Sequence, residues 1–168
     1  MTSPLHQSPI RLRGDLGIGD RALRLSRERG ERGYEAWALR FLGEAASHCD
    51  PPDLETAEGH FRQALALADE LSMRPLVAHC HLGLGKVSRH SGDWVNARER
   101  LMTAVTMYRE MAMDPWLAQA EAEIRALAHE ECGHDWSRAH NPSASGPPMP
   151  AAERRDSTDA KRVGGWMG

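Results

Sequence analysis

From Asp53 onward, apolar residues recur at every third or fourth position, and the same run returns 40 residues later. Leu54, Ala57, Phe61, Ala64, Leu65, Ala68 and Leu71 are answered by Trp94, Ala97, Leu101, Ala104, Val105, Tyr108 and Met111. Spacing of three and four marks one face of an α-helix, so each run predicts an amphipathic helix that buries a single stripe. Asp53 and Asp93 stand just before the two runs, where a carboxylate accepts from the free N–H groups of a first helical turn. Gly92 suits the left-handed turn that closes a preceding helix, and Pro51-Pro52 stops the helix before Asp53.

The segments ahead of these helices repeat as well. Leu76, Val77, Cys80, Leu84 and Val87 return, 40 residues later, as Trp116, Leu117, Ala120, Ile124 and Leu127. Pro75 and Pro115 match across the same interval, each in a first turn where proline removes an N–H that has no partner anyway. With an offset of 42, which allows for two extra residues around Pro51-Pro52, the pattern maps back onto Tyr34, Ala38, Leu42 and Ala45. The stretch Ala22 to Gly33 parallels Ala64 to Pro75. The chain therefore alternates two kinds of helix, A and B, and enters the pattern near the end of a B helix. A repeat of this type buries its apolar stripe only against neighbours. An apolar edge near Tyr34 and Leu42 is expected to stay open and to permit self-association, and the A helix after Pro115 is expected to serve as a cap, aided by Glu121, Glu123 and Glu130.

Residues 1–20 are rich in Gly, Pro and Ser and carry no period, and from about residue 132 Ser, Pro, Gly and Ala take over. Such composition has too little apolar surface to offset ordering entropy. The expected organisation is a flexible segment over 1–20, an all-α helical-repeat domain over 21–131 holding about two and a half helix pairs, and a disordered tail over 132–168. With only 5% aromatic residues and many Ala, Leu, Arg and Glu, the composition favours helix over strand.

The small-residue grammar of these pairs resembles the tetratricopeptide repeat. Leu84-Gly85 stands where that motif has its Leu-Gly, Gly92 at its turn, Ala97 at its small B-helix position, Leu101 at its aromatic and Ala104 at its second alanine; the preceding pair supplies Leu42-Gly43, Ala57, Phe61 and Ala64. Gly or Ala at these points lets the helices approach closely while Leu and Phe fill the flanks. His81 departs from the motif's Trp and Ser88 from its Tyr, and the period exceeds the usual length of about 34. The longer period, with "RGYEAWALRFLGE" and "MRPLVAHCHLGLGK", is similar to the carboxy-terminal repeat region of large bacterial regulators that join a nucleotide cyclase or similar output domain to an AAA-type ATPase module. The resemblance covers about residues 21–128 and none of the catalytic parts. It implies an α-solenoid that binds other proteins as a non-enzymatic scaffold, either a remnant of such a regulator or a separately encoded counterpart. A regulatory segment that works only when joined to catalytic domains is the alternative.

Charge narrows the partners. Twenty-one Lys and Arg face 24 Asp and Glu for a net charge of -3, which supplies none of the attraction that drives phosphate-backbone binding, so nucleic acid is not expected. Cys49, Cys80 and Cys132 are an odd, widely spaced set, unlike a secreted disulfide framework, and read as reduced thiols. The first residues hold no basic-then-apolar leader, and nowhere do about 18 apolar residues run together. These features predict a cytoplasmic protein with no membrane contact.

Chemical motifs are scarce. His79 and His81 flank Cys80, but residues two apart on a helix point about 200° apart and do not converge on one ion. His129 and Cys132, three apart, share a helix side and a loop could bring His134 round, yet no fourth ligand is evident. Gly17, Gly19 and Ala22 fit a permissive dinucleotide fingerprint, but with no strand before them and no βαβ unit after them they read as linker. No Walker-type loop occurs, and no Ser or His sits on a nucleophile elbow. No enzyme activity, cofactor or metal is expected. Arg24, Arg27, Arg29 and Arg32 alternate with Glu28 and Glu31 as on a solvated face, and Met102, Met107, Met111 and Met113 offer adaptable apolar surface. Since A helices line the concave side of tetratricopeptide arrays, the resemblance implies a partner groove at Trp37, Arg40, Glu44, His79, Leu82, Lys86, Arg89, Gln119 and Ala122. Lys86 and Arg89 on adjacent turns suit an acidic segment of a protein or peptide partner.

Overall fold

The computed structural model describes the backbone of residues 9–140 and the side chains of residues 17–130. Six helices follow one another: α1 (Pro9–Arg29), α2 (Arg32–Ser47), α3 (Leu54–Glu70), α4 (Arg74–His90), α5 (Trp94–Glu110) and α6 (Asp114–His140). No strand occurs among the described residues. Each helix from α1 to α4 packs on the next, and α2 also touches α4, so the A helices α2 and α4 stand side by side with the B helix α3 against both. The chain divides at Gly133, and the unit before it holds the repeat. Helices α3 and α5 begin 40 residues apart, as do α4 and α6, whereas α2 begins 42 before α4.

Local signals set these limits. Asp53 Oδ1 accepts from the Thr56 N–H at 3.0 Å and Asp93 Oδ1 from that of Asn96 at 3.2 Å, capping α3 and α5. Hydrogen bonds from the side chains of Thr56 and Asn96, and then from these backbone N–H groups, hold the two carboxyls below their ordinary range. Pro75 lies in the first turn of α4. The B-to-A turns are copies of one another. Gly30, Ser72 and Ala112, at equivalent positions, have φ of 68°, 55° and 52°. In each, the following N–H reaches back to the carbonyl five residues before it: Glu31 to Ser26 at 2.8 Å, Met73 to Ala68 at 2.8 Å and Met113 to Tyr108 at 2.9 Å. That pattern closes a helix through one left-handed residue, and Gly92 does the same between α4 and α5 with φ 77°.

The core is built from small residues. Ala57, Ala64, Ala68, Ala97, Ala104 and Ala120 are fully buried, which lets helix axes approach closely. Phe61 and Leu101, the large residues of the B-helix stripes, lie in this core. A Cβ on Gly43 would stand 3.0 Å from the Phe61 ring, and one on Gly85 would stand 2.7 Å from Leu101 Cγ. Ion pairs repeat in the same register: Arg32 with Glu70 and Arg74 with Glu110 tie the start of an A helix to the end of its B helix.

Two boundaries and one expected open edge differ from the sequence reading. Helix α1 starts at Pro9, so Gly17 and Gly19 lie inside a helix and not in a linker or a flexible segment ending at residue 20. Gly19 is buried at the crossing of α1 and α2, where a Cβ would meet Leu42 Cδ2 at 2.6 Å; the glycine is a spacer that admits a neighbouring helix. For the same reason Leu42 is covered and is not part of an open edge, although Tyr34 remains 72% exposed. Helix α6 continues past residue 131 to His140. Residues 141–168, read as the disordered tail, and residues 1–8 lie outside the described residues.

Candidate binding cleft

Residues three and four apart on a helix share a face, and the A helices place three such faces in register. Trp37, His79 and Gln119 are equivalents under the repeat, as are Arg40, Leu82 and Ala122. Arg40, Glu44, Ser47 and His48 from α2, its end and the following turn, Phe61 from α3, His79, Leu82, Gly83 and Lys86 from α4, and Trp116 and Gln119 from α6 line one cleft. Its open space is about 380 Å³ including the solvent at its mouth. Six of the nine residues assigned to the groove from sequence meet here: Arg40, Glu44, His79, Leu82, Lys86 and Gln119.

The other three lie nearby or apart. Trp37 stands at the rim, 40% exposed, its ring 6.0 Å from that of His79. Arg89 is turned to α6, and Ala122 is exposed and lines no part of the cleft. The basic pair is already answered within the chain: Glu123 lies 3.6 Å from Lys86 Nζ and 3.1 Å from Arg89 Nη1, and Glu130 lies 4.0 Å from Arg89 Nε. Lys86 and Arg89 are thus internal partners of α6 as well as candidate ligand groups.

His79 is the centre of the cleft's inner wall. It is 7% exposed, and its Nδ1 is 2.7 Å from the Tyr108 hydroxyl. Trp116 meets it edge-on at 4.5 Å between ring centroids, and Tyr108 lies 5.5 Å away. Burial, followed by the Arg40 charge, pulls the His79 ring down to about 4 against a smaller opposing effect of Glu44. Burial likewise raises the Tyr108 phenol. Both groups are neutral at pH 7, and whichever of them donates in the shared bond, Nε2 of His79 takes the complementary role. Arg40 stacks over Trp37 at 5.9 Å and gives Nη2 to Glu44 at 2.5 Å, while its Nε is buried without a partner. The cleft therefore offers two partly exposed indole faces, a neutral imidazole and two cations held by carboxylates of the same chain.

The neighbours of His79 diverge. Cys80 is buried in the core, where burial raises its thiol to about 12 and makes it a poor nucleophile. His81 points toward α5, 3.5 Å from Arg100 Nη1, with burial lowering its ring. Among the described residues no three His, Cys, Asp or Glu side chains are placed to hold a metal ion. His129 is exposed, and the side chains of Cys132 and His134 lie outside the described residues. No helix of the described residues is long and apolar enough to cross a membrane.

Two contributors escape a stripe-by-stripe reading. Tyr108 and Trp116 both belong to buried stripes by alignment, yet Tyr108 carries the hydroxyl that holds His79 and Trp116 is 36% exposed at the cleft. The available signal was a polar or oversized residue at positions occupied by Ala68 and Leu76 in the preceding repeat. No family model matches the chain, and no curated protein matches it either. The internal repeat is therefore the chain's own standard of comparison.

Proposed function

We propose that this chain is a non-enzymatic, tetratricopeptide-like interaction module that holds an extended acidic segment of a partner protein against the faces of α2, α4 and α6. The observation that carries this reading is the convergence of Trp116, Arg40 and Lys86 on one cleft, with the Trp37 ring beside it 6.0 Å from that of His79. Partly exposed indoles beside cations are the composition of a protein-binding hot spot. A carboxylate entering the cleft competes with Glu123 for Lys86, whose internal pair is long at 3.6 Å. Such pairs are worth at most about 1 kcal/mol at partly exposed sites, so the exchange is nearly balanced and stacking on the Trp faces supplies the surplus.

Selection of random displayed peptides on the purified chain tests this. Enriched sequences are expected to carry Asp or Glu beside an apolar residue. Their affinity is expected to fall by about tenfold or more in Trp116→Ala, and to fall in Lys86→Glu with Arg89→Glu while helix content stays constant. Binders without an acid, or binders indifferent to both variants, would remove the cleft from the account.

A further inference from the structure

The imidazole of His79 has two nitrogens, and the fold uses only one of them. Nδ1 lies 2.7 Å from the hydroxyl of Tyr108, a residue with no exposed surface that takes no part in lining the cleft. The two nitrogens of an imidazole diverge, so the ring of His79, which does line the cleft, turns Nε2 away from that hydroxyl. Among the described residues Nε2 has no hydrogen-bond partner, and it is not one of the buried atoms left without one, so it is open to the cleft.

The Tyr108 hydroxyl decides what Nε2 can do. A buried O–H that donates to nothing is costly, and Nδ1 of His79 is the one acceptor that the described residues offer it. The hydroxyl therefore donates, Nδ1 accepts, and in a neutral ring the proton sits on Nε2. The opposite arrangement, with Nδ1–H donating to the phenol oxygen, would strand the hydroxyl hydrogen in the core. Burial, and next the Arg40 charge, keep the ring uncharged at neutral pH. Nε2–H is thus an uncharged donor held in place by a side chain that no ligand touches.

We infer that this donor takes a neutral carbonyl oxygen of the bound polypeptide, a main-chain amide near the acidic side chain that Lys86 receives, with Tyr108 as the positioning residue that keeps the proton on Nε2. The identity of the ligand, though not of the donor, rests on the cleft being a polypeptide site. Charge selects a carbonyl over a carboxylate. His79 is only 7% exposed, and an anion brought against so buried a group loses hydration that an uncharged donor does not restore. The Arg40 guanidinium does not make up the difference, because Glu44 already holds it through Nη2. An amide oxygen loses less and regains its hydrogen bond. The carboxylate goes to Lys86, in the same cleft. His79 and Lys86 stand two turns apart on α4, about 10 Å along its axis, which an extended chain spans in about three residues.

Nitrogen-15 NMR of the imidazoles in the full chain at neutral pH tests the donor without any peptide. The His79 ring, assigned by its loss in His79→Gln, is expected as the Nε2–H form. Tyr108→Phe, with circular dichroism matching the wild type, is expected to relax it to a mixture of both forms. Acetamide and sodium acetate, titrated separately at constant ionic strength, test the acceptor: acetamide is expected to shift the Nε2–H resonance, and acetate to shift it less. An acidic peptide whose binding is lost in Trp116→Ala should bind several-fold more weakly to Tyr108→Phe. A wild-type ring protonated on Nδ1, a stronger response to acetate than to acetamide, or such a peptide indifferent to Tyr108→Phe overturns the assignment and leaves acidic-peptide binding intact. Peptides that never select the cleft, with Nε2–H present and shifted by acetamide, overturn the acidic-peptide reading and uphold the donor.

Discussion

The two joints where a B helix meets its flanking A helices use the same register and different residues. Around Phe61 the flanking positions are Gly43 and Gly83; around Leu101 they are Gly85 and Glu123. A third joint exchanges the sizes outright, with Gly19 in α1 against Phe41 and Leu42 in α2. Trp37 and Ala68 of the first pair become His79 and Tyr108 in the second. What the repeat preserves is the volume shared across a contact, as close packing demands; the identity at a single position is free to change. One joint is consequently apolar and aromatic, and the other carries a polar pair and an ionic bridge.

The largest effect should come from the aromatic joint. A Cβ on Gly83 would stand 2.4 Å from Phe61 Cε1, and the same ring already lies close against Gly43. Gly83→Val should cost about 3 kcal/mol or more in urea denaturation. Phe61→Leu opens space for that side chain, so the double variant should recover part of the loss. Gly85→Val in the other joint meets the Leu101 backbone N as well as its side chain, so Leu101→Ala should rescue it less. Equal rescue at both joints would contradict the exchange of volume.

The polar joint should respond to acid where the aromatic joint does not. His79 is held neutral, its ring pulled from an ordinary 6.5 to about 4. The unfolded chain therefore takes up a proton at higher pH than the folded one, and stability is lost as pH falls from 6.5 toward 4. The loss from this group reaches about 3 kcal/mol at most. His79→Gln keeps a hydrogen-bonding partner for Tyr108 and cannot titrate, so its stability should fall less steeply over that range, with a residual slope from His81, which burial also keeps neutral. Identical slopes in the two proteins, measured by denaturation at each pH, would show that His79 does not titrate with folding.

The difference between the joints also explains what the chain's pattern revealed in advance. Helices α3 to α6, their caps at Asp53 and Asp93, and the prolines of their first turns follow from a 40-residue period carried by backbone-determining residues and apolar spacing. Helix α1 did not follow, because Gly17 and Gly19 read locally as breakers, and only the presence of Phe41 and Leu42 across the contact shows Gly19 to be the small member of a matched set. The A-helix ladder placed Arg40, Glu44, His79 and Lys86 on one face. It was silent on Tyr108, 29 residues from its partner His79, and on the reach of Glu123 to two cations, since neither depends on period.

The smallest effect belongs to that reach. Glu123 occupies the position of Gly83 and bridges Lys86 and Arg89, with one-quarter or less of each of the three side chains exposed. Partial burial lifts such a bridge somewhat above a surface pair, while the 3.6 Å separation from Lys86 holds it down. Glu123→Gln should therefore cost only about 0.5 to 1 kcal/mol. Concentrated salt should destabilise the wild type more than the variant, because screening weakens a bridge that the variant lacks. The same change releases Lys86 toward the cleft, while Arg89 keeps Glu130, so an acidic peptide that binds there should bind a few-fold more tightly. A loss of stability without that gain in affinity would mean that Glu123 fastens α6 to α4 and does not compete with a ligand.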